Sequence, residues 1–226
     1  MDNFVKKISA ALHAQADAQR AVAMRAYMRD QFDFLGIPTP IRRQAIRAPM
    51  AALSEVSTAE IIEAANLLWK KPEREFQHTA IDLLAKYHRK MELQSVGPIL
   101  KLVQEKSWWD TVDGLASVVA KVLVRLHQAD QNIQVVMDNA VEHENLWVRR
   151  VAMIHQLGWR TNTDKARLQS YASALAHEKD FFIRKAIGWA FRDYAKHDPD
   201  WVKVTVLKVS PKLSPLSLRE ALKHLQ

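Results

Sequence analysis

Hydrophobic residues recur along most of the chain at the three- and four-residue spacing that is typical of amphipathic α-helices. In the segment SWWDTVDGLASVVAKVL, for instance, Trp108, Val112 and Leu115 begin a stripe that a helix would bury. The sequence from Ser57 to Glu60 is a capping box that marks a helix start. The weakly alternating segment 204–210 is also predicted to be a short helix. The pattern therefore predicts an all-α chain of about a dozen helices and no strand.

A sequence repeat indicates how these helices pack. The hexapeptides VRRVAM, IRKAIG and LREALK start at positions 148, 183 and 218, each 35 residues after the one before. A more distant copy places Asp113 in register with Arg150. Helical repeats of ~35–45 residues are typical of HEAT-like solenoids, in which stacked helix pairs share one core and leave one concave surface. We therefore expect a single domain over residues 1–226, folded as a curved α-solenoid of HEAT-like repeats.

The composition excludes several classes of protein. The chain has no cysteine, which excludes a disulfide scaffold, a thiolate zinc site and a cysteine nucleophile and is compatible with the cytosol. No apolar run is long enough for a signal peptide or a membrane span, so we expect a cytoplasmic protein. The five glycines form no nucleotide-binding motif, and the nine histidines show no metal-binding spacing. We expect no metal, no nucleotide cofactor and no serine nucleophile.

The charge is distributed unevenly. The net charge is +8, yet residues 1–144 hold 18 Lys+Arg against 18 Asp+Glu, whereas residues 145–226 hold 15 against 7. Such an asymmetry is typical of a surface that binds a polyanion. A basic surface that only keeps the protein soluble would give the same numbers.

One predicted helix, FFIRKAIGWAFRDYAK, combines this charge with an aromatic ring. Lys185, Trp189, Arg192 and Lys196 share one face of it at i, i+4, i+7 and i+11. A tryptophan within a column of three cations suits contact with a nucleic-acid backbone. The alternative is a solvated face whose aliphatic stems cover a half-buried ring.

Two further pairs of neighbouring residues are candidates for a site. Trp109 and Asp113 lie four residues apart, on a helix face that differs from the buried stripe of Trp108, although a second packing surface would also explain Trp109. Arg149 shares the repeat register of the arginines at 184 and 219 and is predicted to bridge neighbouring repeats. Arg150 does not share that register, and we expect it to face a ligand.

Five segments, in this order, resemble the AlkD-type alkylpurine DNA glycosylases over nearly the whole chain. They are AYMRDQFDFLGIPTPIRR (26–43), LWKKPEREFQHTAIDLL (68–84), KSWWDTVDGLA (106–116), LWVRRVAMIHQL (146–157) and FFIRKAIGWAFRDYAKHDPD (181–200). The resemblance implies a curved array of HEAT-like repeats with duplex DNA in a basic concave groove. It also implies excision of cationic N3- and N7-alkylated purines without metal or cofactor, and we expect a monomer.

The resemblance assigns roles by motif. It implies a catalytic aspartate, a partner tryptophan, a second aromatic residue, an arginine on the DNA backbone and an N-terminal tyrosine, at Asp113, Trp109, Trp189, Arg150 and Tyr27. The further DNA-binding candidates are Arg149, Lys185, Arg192 and Lys196. Pro38, in GIPTP, stands where a polar residue was expected, so DNA contacts of that loop are left open.

The chemistry of such a substrate explains the residue types. An N3- or N7-alkylated purine is already cationic, so positive charge on the deoxyribose is what a catalyst must stabilise as the bond breaks. A carboxylate such as Asp113 can stabilise that charge or orient a water, and a tryptophan face adds cation–π attraction of ~0.5–2 kcal/mol. The alternatives are a non-catalytic HEAT-like module that binds nucleic acid or protein, and a structural scaffold. An acid in the groove argues against a pure DNA binder, because it would repel phosphate.

Overall fold

The computed structural model describes residues 1–127 and 130–225, and the part of the chain so described is all-α, without a strand. It contains fourteen α-helices, which confirms the predicted fold class, although several helices are shorter than 10 residues. Short 3-10 helices lie at His88–Lys90, Leu93–Ser95, Gln131–Gln134, Arg160–Asn162 and Ser210–Lys212. Within the described ranges, no helix has both the length and the apolarity that crossing a membrane requires.

The chain divides into two compact units, of which the first is Met1–Met91. The prediction of one domain over residues 1–226 therefore stays a prediction. Within this unit α5 packs along α6, and α1 contacts α3, α4 and α5. The six helices are α1 (Asp2–His13), α2 (Ala18–Tyr27), α3 (Thr39–Ala45), α4 (Arg47–Ala51), α5 (Thr58–Trp69) and α6 (Arg74–Tyr87).

Local chemistry fixes where the helices of the first unit begin. The predicted capping box is confirmed, since the Ser57 hydroxyl accepts from the Glu60 backbone N–H and the Glu60 carboxylate accepts from that of Ser57. The loop before α3 is held by a buried carboxylate, because Glu75 accepts the backbone N–H groups of residues 35, 36 and 37 at 2.9–3.0 Å. Gly36 has a φ of 83°, and a Cβ there would lie 2.0 Å from the Asp17 carbonyl oxygen, so this loop requires glycine.

The second unit, Glu92–Gln226, is built from two rows of helices. The helices α8, α10, α12 and α14 contact one another in succession, and we call the helices that alternate with them along the chain, α7, α9, α11 and α13, the other row. The three repeated hexapeptides fall in α10, α12 and α14, which confirms the helical repeat. The eight helices are α7 (Val96–Gln104), α8 (Trp109–His127), α9 (Val135–Ala140), α10 (Leu146–Ile154), α11 (Lys165–Ala174), α12 (Phe181–Tyr194), α13 (Pro199–Val209) and α14 (Pro215–Leu222). Curvature and a concave groove remain predictions.

Candidate active site

Three consecutive helices of one row bring the central candidate residues together. Asp113 lies in the second turn of α8, Arg150 in α10 and Trp189 in α12. The Arg150 Nε and Nη2 groups donate to the two carboxylate oxygens of Asp113, each at 2.8 Å. Such a bidentate pair fixes the plane of the carboxylate as well as its position. We call these two residues the Asp113 pair.

The arginine of this pair is buried. Arg150 is 1% exposed, and its Nη1 group donates to the Phe182 carbonyl oxygen. Its guanidinium carbon lies 5.2 Å from the centroid of the Trp189 ring. The prediction that Arg150 faces a ligand is therefore wrong as to its orientation, because both edges of the guanidinium are directed at protein acceptors. In the structure its side chain holds the carboxylate of Asp113 in place.

Asp113, in contrast, keeps 26% of its side chain exposed. An ionised carboxylate has about four lone-pair sites, and the two bonds from Arg150 leave the rest for another partner. Trp109, one turn earlier on α8, is partly exposed as well. The helix therefore presents an acid and an indole ring that are both accessible, as the i, i+4 spacing predicted.

An aromatic cluster fixes the starts of the three helices. The Trp108 ring lies 5.9 Å from that of Trp147 and 5.3 Å from that of Phe182, and the last two are 4.9 Å apart. Asn145 and Asp180 cap α10 and α12 through their side chains, which places Trp147 and Phe182 in the first turns. Trp108 was predicted to be a core residue, but it is only partly buried. Its ring nevertheless belongs to this aromatic cluster. Trp147 and Phe182 were not predicted as site residues, although the motif LW and the Asx caps could have indicated them.

The cations of the basic column of α12 make ion pairs within the protein. Lys185 Nζ and Arg192 Nη1 each lie 2.8 Å from a carboxylate oxygen of Glu220 on α14, and we call these three residues the Glu220 cluster. Lys196 pairs with Asp193 at 2.9 Å. The Lys185 hydrogen bond, which is the largest contribution, lowers the pKa of Glu220, although partial burial raises it. The spacing of the column did not reveal Glu220, because that residue comes from the next repeat.

A glycine allows α14 to approach α12 closely enough for these bonds. A Cβ on Gly188 would lie 2.4 Å from the Glu220 Cβ and 2.9 Å from the Ser217 carbonyl oxygen. The Ser217 hydroxyl also donates to the Arg184 carbonyl oxygen at 2.9 Å. The glycine of the segment KAIGW (185–189) is therefore explained by helix packing, which in turn positions Glu220 beside Lys185 and Arg192.

Arg149 has the bridging position that its register predicted. Its Nε lies 2.8 Å from a carboxylate oxygen of Glu178, and its Nη1 donates to the carbonyl oxygens of His143 and Glu144 at 2.7 Å. The corresponding Arg184 donates to the Glu178 carbonyl oxygen at 2.9 Å. Both arginines thus fasten the loop before α12, and the bridging interpretation is confirmed.

Tyr27 belongs to the first unit. It ends α2 and is 74% exposed. It borders a cavity of about 340 Å³ that apolar side chains dominate, among them Met24, Met28 and Phe34. The other eight candidate residues all lie in the second unit, on α8, α10, α12 and the residues just after α12.

Comparison with known proteins agrees with this architecture. The model of the DNA alkylation repair enzyme family matches residues 8–225, so the chain belongs to that family. A solved structure of a predicted DNA alkylation repair enzyme from Enterococcus faecalis is 32% identical, with a TM-score of 0.87 over 93% of this chain and 97% of that one. AlkD2 from Streptococcus mutans is 17% identical, with a TM-score of 0.59 over 77% and 86% of the two chains, a likeness of fold alone. No curated protein matches the chain.

Proposed function

We propose that the protein is a DNA glycosylase of base excision repair that hydrolyses the N-glycosidic bond of cationic N3- and N7-alkylated purines in duplex DNA. Membership of the DNA alkylation repair enzyme family supports a role in repair. The observation that carries the proposal is the Asp113 pair. A carboxylate that is fixed by a buried arginine and still 26% exposed suits stabilisation of a developing positive charge.

The proposed reaction needs little help with the leaving group. As the bond between C1′ and the purine nitrogen breaks, both electrons pass to the cationic purine, which leaves as a neutral base. Positive charge then develops on the deoxyribose, and the carboxylate of Asp113 stabilises it. A water adds its oxygen to C1′, and its proton passes to Asp113 or to solvent. Trp109 and Trp189 offer ring faces that attract the cation.

Arg150 contributes to this reaction by preorganisation. Its two bonds hold the carboxylate in one orientation before the substrate arrives, so no reorganisation is required while charge develops. The bonds occupy one lone pair on each oxygen, which leaves acceptor sites for the sugar or the water. The acid stays accessible because the arginine approaches it from within the protein.

The decisive experiment replaces Asp113 with asparagine. Asp113→Asn keeps an oxygen that accepts from Arg150 but loses the charge, so release of N7-methylguanine from duplex DNA should fall about 100-fold or more. Affinity for the duplex should be equal or higher, because an acid that repels phosphate has been removed. Asp200→Asn is the control, since Asp200 is exposed on α13 and has no ion pair within residues 1–127 and 130–225. Thermal unfolding of both variants shows whether the fold is kept.

Excision at the wild-type rate by Asp113→Asn would overturn the proposal.

The substrate range provides a second test. Uracil and 8-oxoguanine are neutral, and no group is proposed that would protonate them, so neither should be released. Free base and abasic sites are counted on duplexes that carry one lesion each, with N7-methylguanine as the positive control. Efficient release of uracil would mean that the leaving group is activated by another route.

A further inference from the structure

The surroundings of Glu220 hold more positive than negative charge. Glu220 makes ion pairs with both Lys185 and Arg192. The charge of Lys223, one turn away on α14, also lowers its pKa, after the larger effects of Lys185 and Arg192. One carboxylate therefore faces three cations, and an excess of two positive charges remains at this end of the row.

Two cations, one in α14 and one at its C-cap, make no ion pair. Arg219 and Lys223 are exposed and lie four residues apart, hence on one side of the helix. Neither makes an ion pair with any residue that the structure describes. Together with Leu218, Glu220 and Leu222 they line an open cleft of about 630 Å³.

The repeat register sets Arg219 apart from its two counterparts. Arg149 lies 2.8 Å from a carboxylate oxygen of Glu178, and Arg184 donates to the backbone carbonyl oxygen of the same residue. Arg219 is the third copy, and it is exposed and makes no ion pair with any residue that the structure describes. Its guanidinium is therefore accessible to a ligand.

We propose that Arg219 and Lys223 form a surface that binds the phosphodiester backbone of duplex DNA. The inference rests on the proposed function, which makes DNA the substrate. The helix α14 belongs to the same row as α8 and α12, which carry Asp113 and Trp189. Arginine can bind a phosphate through two parallel hydrogen bonds, and lysine adds a point charge.

The free cations are better suited to this contact than the column of α12. A phosphate that binds Lys185 or Arg192 must compete with Glu220 for them, whereas Arg219 and Lys223 give up only water. Phosphate contacts position a duplex without reading its sequence or its lesion. The surface should therefore bind methylated and undamaged duplexes alike.

The chain offers a matched control on α13. Lys203 and Lys208 are also exposed and also make no ion pair among the described residues. They lie on α13, a helix of the other row that carries none of the candidate active-site residues. Replacing them changes the net charge by the same amount as replacing Arg219 and Lys223.

The experiment compares two double variants across a salt series. Binding of an undamaged duplex to wild type, to Arg219→Ala with Lys223→Ala, and to Lys203→Ala with Lys208→Ala is measured between about 50 and 200 mM salt. Each phosphate contact contributes about −0.9 to the log–log slope. Loss of Arg219 and Lys223 should flatten the slope by about two units and weaken binding about equally for the methylated duplex. The α13 variant should keep a slope close to that of wild type.

Excision under saturating duplex separates this inference from the proposed function. Neither cation contacts the reacting atoms, so the α14 variant should excise N7-methylguanine at nearly the wild-type rate once bound. A flattened slope in a protein that releases no base would support the phosphate surface and overturn the glycosylase proposal. Equal slopes for the two double variants, or no binding of duplex by wild type, would overturn the phosphate surface.

Discussion

The Asp113 pair and the Glu220 cluster lie along one repeat register of the second unit and present opposite charges to solvent. In the Asp113 pair the arginine is 1% exposed and the acid 26%. In the Glu220 cluster the acid is 12% exposed and the two cations 24% each. In both, the following helix of the row supplies the less exposed partner and the preceding helix supplies the more accessible group. The sign of the accessible charge on one helix is thus set by the helix after it.

The largest effect should come from Arg150→Lys, which disrupts the Asp113 pair. A lysine keeps the charge but cannot donate to both oxygens of Asp113 and to the Phe182 carbonyl. Single-turnover release of N7-methylguanine should fall about 100-fold, and the Tm should drop. Arg167→Lys is the control, since that arginine is ion-paired with Asp138 on helices of the other row. Comparable rates of excision by Arg150→Lys and Arg167→Lys would contradict the proposal that Arg150 orients Asp113.

The Glu220 cluster can be disrupted without replacing any charged residue. In Gly188→Ala the new Cβ meets the Glu220 Cβ at 2.4 Å, and α14 must move away from α12. The free energy of unfolding should fall by about 1–3 kcal/mol, the usual cost of overpacking. Gly97→Ala on α7 should be neutral or stabilising, because nothing lies within 4 Å of its Cβ. Chemical denaturation measures both, and equal stability of the two variants would mean that the close packing is not required.

Removal of the Glu220 carboxylate tests the Glu220 cluster directly, and its expected effect is smaller than those of the two substitutions above. Glu220→Gln releases Lys185 and Arg192, so affinity for undamaged duplex should rise by about 2- to 5-fold, the size expected of partly exposed ion pairs. Excision of a cationic purine should fall, because the released Lys185, whose Nζ lies 5.9 Å from the centroid of the Trp189 ring, is then a free cation beside that ring. The control is Glu178→Gln, which releases Arg149 instead. A decrease in affinity for Glu220→Gln would show that the two cations do not face DNA.

Low pH should weaken the ion pairs of the Glu220 cluster by a small amount. The pKa of Glu220 is lowered, chiefly by the hydrogen bond from Lys185, below its ordinary value of 4.5. Its contribution to stability is therefore full above pH 4.5 and lost as the pH falls through the lower folded value. The Tm difference between wild type and Glu220→Gln should shrink over that range. A difference that is constant with pH would exclude this linkage.

Much of the local structure of the second unit could be predicted from the sequence. The repeat placed α10, α12 and α14 in register, and the register of Arg149 indicated its bridging role, which the contact with Glu178 confirms. The i, i+4 spacing placed Trp109 and Asp113 on one accessible face. These predictions succeeded because helical periodicity within one segment decides them.

The partners of the predicted residues could not be found in this way. A helix one repeat away buries Arg150 and partly covers Glu220, and the period of a single helix does not show which of its faces is covered. The column of α12 had the spacing of a solvated surface, yet both Lys185 and Arg192 are ion-paired with Glu220 of α14. Only the three-dimensional contact of successive repeats distinguishes a free cation from a paired one.

The burial of Arg150 restricts which substitutions homologous proteins can accept during evolution. A lineage that replaces Asp113 with an apolar residue leaves a buried guanidinium whose charge is uncompensated, which costs about 3–5 kcal/mol. That is a large share of the roughly 5–15 kcal/mol by which domains are stable. Selection for a folded protein therefore protects the acid even where its chemistry is no longer needed. A folded homologue that lacks the acid should carry a second replacement at the position of Arg150.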